Sequence, residues 1–263
     1  VVALGSPSSE FVQALRSDIK AQFTLATAVE APPANAALLL VDGATLPACT
    51  VPALRARVQA GAVVLLHDLA PDHAQSVAAL LGVPVAFAPA EALPIRVVRE
   101  RQDERSYCSR IPPTRGMTHY DLAWASKDRG KLSAERIQHT ISIQRTNVKQ
   151  WTDMAGALVE VPLGKGKIII NQFCWNKETY DTAQAQRYAS LLLTNLGVQI
   201  KALSLVPVSA KGYLFVDIRK YCNGRLRSEH GNDLRNLPTG EHEFRGVPFW
   251  VVPHDQNEGL GSM

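Results

Sequence analysis

Through residues 1–95 the chain repeats one arrangement, a short and continuously apolar run followed in most cases by a segment of helical period. Residues 1–4, 23–27, 37–42, 62–66 and 83–87 read as strands. Between them, Phe11, Leu15 and Ile19 recur at helical spacing behind Ser8 and Ser9, two residues suited to cap a helix, with Glu10 favourable in its first turn. Leu54 and Val58 follow Thr50 in the same way and stop at Gly61. Val77, Leu80 and Leu81 follow Asp72 and Gln75, which have the capping-box spacing, and stop at Gly82. Strands that are apolar at every position must be covered on both faces. Short connections between alternating strands and helices give right-handed βαβ units. The expected architecture is therefore α/β: a flavodoxin-like doubly wound three-layer domain with a parallel sheet.

The later pattern adds to that sheet. Residues 137–144 alternate as a strand, and residues 157–161 and 167–173 flank Pro162-Leu163-Gly164-Lys165-Gly166 as a hairpin with glycines at its turn. Asp181 and Gln184 can cap a helix striped by Ala185, Tyr188, Ala189, Leu192 and Leu196, which ends at Gly197. These late strands and this helix are expected to complete the same sheet over residues 1–202. After Lys201 the texture turns to β, at residues 203–208, 213–218 and 247–252, which reads as the opening of a second, sandwich-type module over residues 203–263.

Composition excludes several classes. A chain of 263 residues with 46% hydrophobic and 20% charged residues has ample material for a core and is not globally disordered. At a prior of about 150 residues per domain, it makes one large domain or one domain and a small appendage. No apolar run approaches the roughly 18 residues of a membrane span, so a soluble protein with no membrane partner is expected. Six arginines stand against Glu100, Asp103 and Glu104 in residues 96–115, so +3 of the net +4 falls in one connector. That is a self-paired, solvated segment and not the basic face of a nucleic-acid binder. Cys49, Cys108, Cys174 and Cys222 form no close pair, which speaks against zinc or thioredoxin-type chemistry and against a disulfide framework. No cofactor motif is present either. Gly164-Lys165-Gly166 joins two strands instead of opening a helix, so it would face no phosphate with a helix N-terminus.

A doubly wound sheet places ligands at the carboxyl ends of its strands. Asp42, His67 and Asp68 are expected there, with Asn171, Gln172 and Trp175 after the late strand, either as a polar pocket or, for the aspartates, as caps of turns and helices. A glutaminase or hydrolase nucleophile needs small residues on both sides of a strained elbow, and no G-x-C-x-G or G-x-S-x-G occurs. No histidine is followed two positions later by glutamate. No catalytic residue is nominated. The aromatic residues Tyr120, Trp124, Trp151 and Trp175 cluster in one third of the chain, as sugar-stacking rings or as packing.

Several phrases together resemble a known family. Arg115-Gly116-Met117-Thr118-His119-Tyr120-Asp121-Leu122-Ala123-Trp124 resembles a stretch in accessory domains of large bacterial glycosidases. The run A-L-V-E-V-P-L-G-K-G-K-I-I-I-N-Q-F-C-W from Ala157, with Arg187-Tyr188-Ala189-Ser190-Leu191-Leu192-Leu193-Thr194-Asn195-Leu196-Gly197-Val198, is similar to the end of their class I glutamine-amidotransferase-like domain, of which the β-galactosidase trimerisation domain is a relative. The tail, with Phe215-Val216-Asp217-Ile218 and Phe244-Arg245-Gly246-Val247-Pro248-Phe249, resembles the start of the galactose-binding-like β-sandwich that follows such domains.

The resemblance implies a non-catalytic accessory or assembly module of a glycoside hydrolase whose glutaminase triad is lost. Its partners would be the catalytic barrel and β-sandwich domains of a parent chain, with an oligosaccharide or a second copy as further candidates. It also implies an extracellular or periplasmic setting. The start at Val1 inside an apolar run and the end without a closing element suggest a piece of a longer polypeptide. If the module touches glycan, His119, Tyr120, Trp124 and Trp175 would stack and Asn171 and Gln172 would bond hydroxyls. The alternative is a free-standing hydrolase or amidotransferase-like enzyme with an unconventional site near Cys49, His67 and Asp68.

Overall fold

The computed structural model describes residues 1–28, 32–90, 113–115, 117, 124–125, 132–133, 137–175, 182–200, 240–244 and 247–251. It separates into two compact units, Val1–Ala202 and Leu203–Met263. In the first, a seven-stranded sheet carries the order β2-β1-β3-β4-β11-β10-β9. Its strands are β1 (Val2–Leu4), β2 (Thr24–Ala26), β3 (Leu38–Asp42), β4 (Val63–His67), β9 (Lys149–Gln150), β10 (Leu158–Leu163) and β11 (Gly166–Asn171). The pairs β2–β1, β1–β3, β3–β4 and β4–β11 are parallel, while β11–β10 and β10–β9 are antiparallel. The sheet is thus mostly parallel and the unit is α/β.

Alternation along the strands divides the core in two. Ala3, Leu38, Leu40, Leu65 and Ile169 pack with Phe11, Leu15, Tyr188 and Leu192 on one face. Val2, Leu4, Leu39, Val41, Val64, Leu66, Ile168 and Ile170 pack with Leu54, Val58, Val77 and Leu80 on the other. The first face is covered by α1 (Glu10–Gln13), which continues as a π-wound stretch Ala14–Asp18, and by α4 (Thr182–Asn195). The second is covered by α2 (Val51–Ala60) and α3 (Ala74–Leu81). This double burial is why the strands carry apolar residues at successive positions.

Helix ends follow local chemistry. Ser9 Oγ accepts from the Val12 amide at 3.3 Å and opens α1. The expected Asp72–Gln75 box does not open α3. Instead His73, at the cap, accepts the Ala70 amide on Nδ1 at 2.9 Å, after a 3₁₀ turn at Pro71–His73. Gly82 ends α3 in the left-handed region at φ 74°. Arg55 of α2 reaches the same end, its Nη1 donating to the carbonyls of Ala79 and Leu80 at 3.1 and 2.7 Å. A Cβ on Gly82 would lie 2.6 Å from both terminal guanidinium nitrogens. Gly82→Ala is therefore expected to cost about 1–2 kcal/mol in urea unfolding, from left-handed strain and loss of the Arg55 cap together.

Two expected members of the sheet lie outside it. The strand expected at 83–87 forms as β5 (Val85–Pro89) and pairs antiparallel with β8 (His139–Ile143), the strand expected at 137–144, in a separate two-stranded ribbon. The place beside β4 is taken by β11, in register from Lys167 against Val63 to Asn171 against His67. The physical reason is burial. Ile168, Ile169 and Ile170 are fully buried and suit a central strand, whereas β5 exposes alternate residues and is bracketed by Pro84 and Pro89, neither of which can donate to a ladder.

The Gly-Lys-Gly turn is a hairpin tip, as its sequence context implies. Gly164 has φ 62°, and the Lys165 amide donates to the Gln59 carbonyl at 3.0 Å, so the tip rests on the end of α2.

Among the described residues no helix is long and apolar enough to cross a membrane. A two-residue ladder pairs β6 (Trp124–Ala125) with β7 (Leu132–Ser133). In the second unit, β12 (Gly240–Phe244) and β13 (Val247–Val251) form an antiparallel hairpin. The strands expected at 203–208 and 213–218 lie outside the described residues.

Candidate functional site

Three polar residues end three adjacent parallel strands in register: Asp42 of β3 opposite His67 of β4, and His67 opposite Asn171 of β11. By alternation they share the face of Leu40, Leu65 and Ile169, beneath α1 and α4. This is the strand-end position at which open α/β sheets bind ligands.

The row is closed over. His67 is fully buried and Asp42 is 9% exposed. The imidazole Nδ1 lies 2.8 Å from Asp42 Oδ1, and Nε2 accepts the Trp175 backbone N–H at 3.4 Å. Only the neutral tautomer with its proton on Nδ1 serves both partners, since Nε2 must keep a lone pair for the amide. The ring centroid stands 5.1 Å from that of Phe11 and 4.1 Å from that of Trp175. Trp175 is 6% exposed, and its buried indole Nε1 has no hydrogen-bond partner among the described residues.

Asn171 and Gln172 face inward too. Asn171 Nδ2 donates to the Phe173 carbonyl at 2.9 Å, and its Oδ1 accepts the Tyr188 hydroxyl at 2.6 Å. Complete burial holds the Tyr188 phenol well above its usual range, so it stays a neutral donor. Gln172 acts as a substitute strand neighbour. Its Oε1 accepts the Leu69 amide, and its Nε2 donates to the carbonyls of Leu69 and His139, all at 2.9 Å. At 0% and 1% exposure, neither amide reaches solvent. The sugar contacts expected of Asn171 and Gln172 are therefore not presented in this conformation, because both side chains bond the protein itself. Trp175 shows no open stacking face either. Of the other expected aromatic contacts, His119 and Tyr120 lie outside the described residues and Trp124 is described in its backbone alone.

Asp68 follows the row at φ 50°, and its amide donates to the Asn171 carbonyl at 2.9 Å. Aspartate tolerates this left-handed position better than most residues. Its carbonyl oxygen explains Gly43, where a Cβ would stand 2.3 Å from that atom. The loops after β3 and β4 touch directly at this point.

The alternative constellation of Cys49, His67 and Asp68 is not assembled. Cys49 packs in the apolar cluster of the opposite sheet face, and its thiol donates to the Thr45 carbonyl at 3.6 Å. Burial pushes the thiol up to about 11, so it is protonated at neutral pH. The folded-state value lies above the ordinary thiol value of 9.0, so stability is fully present below pH 9 and falls as pH rises toward about 11, where the buried thiol must ionise. Iodoacetamide at pH 8 is expected to leave Cys49 and the buried Cys174 unmodified in the native chain and to label both in urea, as read by peptide mass spectrometry.

Phe11 and Tyr188 complete the site, and the sequence shows them only as members of apolar helix stripes. Nothing in the spacing shows that their rings meet a histidine and an asparagine. Among the described residues no group of three His, Cys, Asp or Glu is placed to hold a metal.

No family model matches the chain, and no curated protein matches it. Solved structures do show likeness. An exo-β-1,4-mannosidase from Opitutaceae bacterium strain TAV5 aligns at 10% identity and TM-score 0.40, over 87% of this chain and 35% of that one. A β-galactosidase from Bacillus circulans sp. alkalophilus aligns at 10% identity and TM-score 0.42, over 76% and 31%. A cytoplasmic protein from Salmonella typhimurium aligns at 10% identity and TM-score 0.44, over 72% and 85%. The chain thus spans about a third of the length of these two glycosidases. Likeness at this level carries no argument about activity.

Proposed function

We propose that the chain is a non-catalytic accessory module of a carbohydrate-active enzyme, built on a class I glutamine-amidotransferase-like, flavodoxin-type unit over residues 1–202, with residues 203–263 beginning a β-sandwich. The observation that carries this reading is the closed strand-end row. The Asp42–His67 pair has the form of a general-base dyad, yet the imidazole's second nitrogen faces a backbone amide instead of a nucleophile. A base must reach the proton it removes, directly or through one water. The buried ring reaches neither substrate nor solvent here. The glycosidase context rests on the sequence phrases at residues 115–124 and 157–175. Its partners are then the barrel and sandwich of a parent chain, and any catalytic carboxylates belong to that barrel.

The test is turnover by the 263-residue chain. Neither glutamine nor chromogenic galactosides and mannosides should be hydrolysed above background. Activity that disappears in Asp42→Asn or His67→Gln would give the dyad a catalytic role and end this reading.

A further inference from the structure

We infer that His67 is an acid-sensitive clasp that holds Trp175 closed over the strand ends and releases it on protonation. The imidazole bridges two elements with opposite hydrogen-bonding demands. Its Nδ1 serves the Asp42 carboxylate on β3, and its Nε2 accepts the N–H of Trp175, which leads out of β11. A proton taken up at Nε2 turns that acceptor into a donor facing a donor. The Trp175 amide cannot bond it and must move away. Asp42 pushes in the same direction, because its carboxylate, 2.8 Å from the ring, neutralises the imidazolium that forms.

A second observation makes the closed state ready to open. The indole Nε1 of Trp175 is buried with no partner among the described residues, an unmet donor that water would satisfy once the side chain leaves. Among the described residues, closure is held by ring packing on His67, Phe11 and Tyr188 and by the amide bond to Nε2. Loss of that bond and gain of indole hydration act together.

Other titratable groups on the packed elements, among the described residues, are Asp68 at the end of β4, Glu10 on α1, the exposed Arg16 and Asp18 on its π-wound continuation, Cys174 beside Trp175, and Arg187 and Tyr188 on α4. Asp68 is half-buried and Glu10 exposed. Tyr188 stays neutral and donates a hydrogen bond to Asn171 Oδ1. Asp42 bonds the ring directly. The clasp does not depend on the parent enzyme's identity, so it stands or falls separately from the accessory-module reading.

The test is NMR of the full chain from about pH 8 to about pH 5, the span of imidazole titration. The indole N–H signal of Trp175, assigned by its loss in Trp175→Phe, should lose protection from solvent exchange with the same midpoint as the His67 ring signals, while far-UV circular dichroism holds. Asp42→Asn should move that midpoint to lower pH. His67→Gln, which keeps one donor and one acceptor but cannot titrate, should keep the indole protected throughout. Should His67→Gln not fold, co-titration and the Asp42→Asn shift still decide. An indole that stays protected while His67 titrates, a His67 that does not titrate in this span, or equal loss of protection in His67→Gln would overturn the proposal.

Discussion

His67→Ala is expected to destabilise the chain by about 3 kcal/mol in urea unfolding, in the range for a broken buried pair. The substitution leaves the Asp42 carboxylate, 9% exposed, without the partner it meets at 2.8 Å. It removes the acceptor for the Trp175 amide and opens a void beneath the Phe11 and Trp175 rings. Each loss acts in a place largely closed to water. Asp72→Ala is the matched control. Asp72 also pairs with a histidine, His73 at 3.6 Å, but its side chain is 79% exposed, and such pairs contribute little. A large change at His67 with none at Asp72 is the expected pattern. Comparable small changes at both would mean that the strand-end row is not a packed element of the fold.

Gly166→Ala should cost a similar amount, about 3 kcal/mol, for a different reason. A Cβ there would stand 2.1 Å from the Ala62 carbonyl oxygen and 2.4 Å from that of Val58. Both obstacles are backbone, so no side chain can rotate aside. The hairpin tip would have to lift from the end of α2, weakening the bonds from the Lys165 amide to Gln59 and from the Lys167 amide to Ala62. Lys165→Ala, at the exposed tip between the two glycines, should change stability little. Equal effects at both positions would contradict close docking of the tip on α2.

That glycine pair shows how far sequence reasoning reaches. A Gly-Lys-Gly between two apolar runs announces a hairpin, and the hairpin is there. Its contact with α2 joins segments about a hundred positions apart, and no local pattern encodes it. The same division holds for the sheet. Continuous apolar runs at β1, β3, β4 and β11 are legible because double-sided burial leaves polar residues only near the strand ends. The choice of β11 over β5 as the neighbour of β4 is a competition between distant strands, settled by how completely each can be buried. At the site, Asp42, His67 and Asn171 were legible as strand-end polar residues because each closes an apolar run. Their burial was not, since it depends on Phe11 and Tyr188 from helices at opposite ends of the unit and on Trp175 folding back. Cys49 was misplaced for the simplest reason. Seven residues beyond Asp42, nothing local says to which face of the sheet the chain has crossed.

If the strand-end row is a closed structural core at neutral pH, as proposed, no ligand reaches the His67 ring. Nitrogen-15 NMR of the His67 ring tests it directly, because the two ring nitrogens report which one carries the proton and whether solvent or ligand reaches it. One neutral tautomer protonated on Nδ1 is expected, with signals unmoved by millimolar glutamine or galactose-containing oligosaccharides. A proton on Nε2, or ring signals that shift as ligand is added, would contradict it.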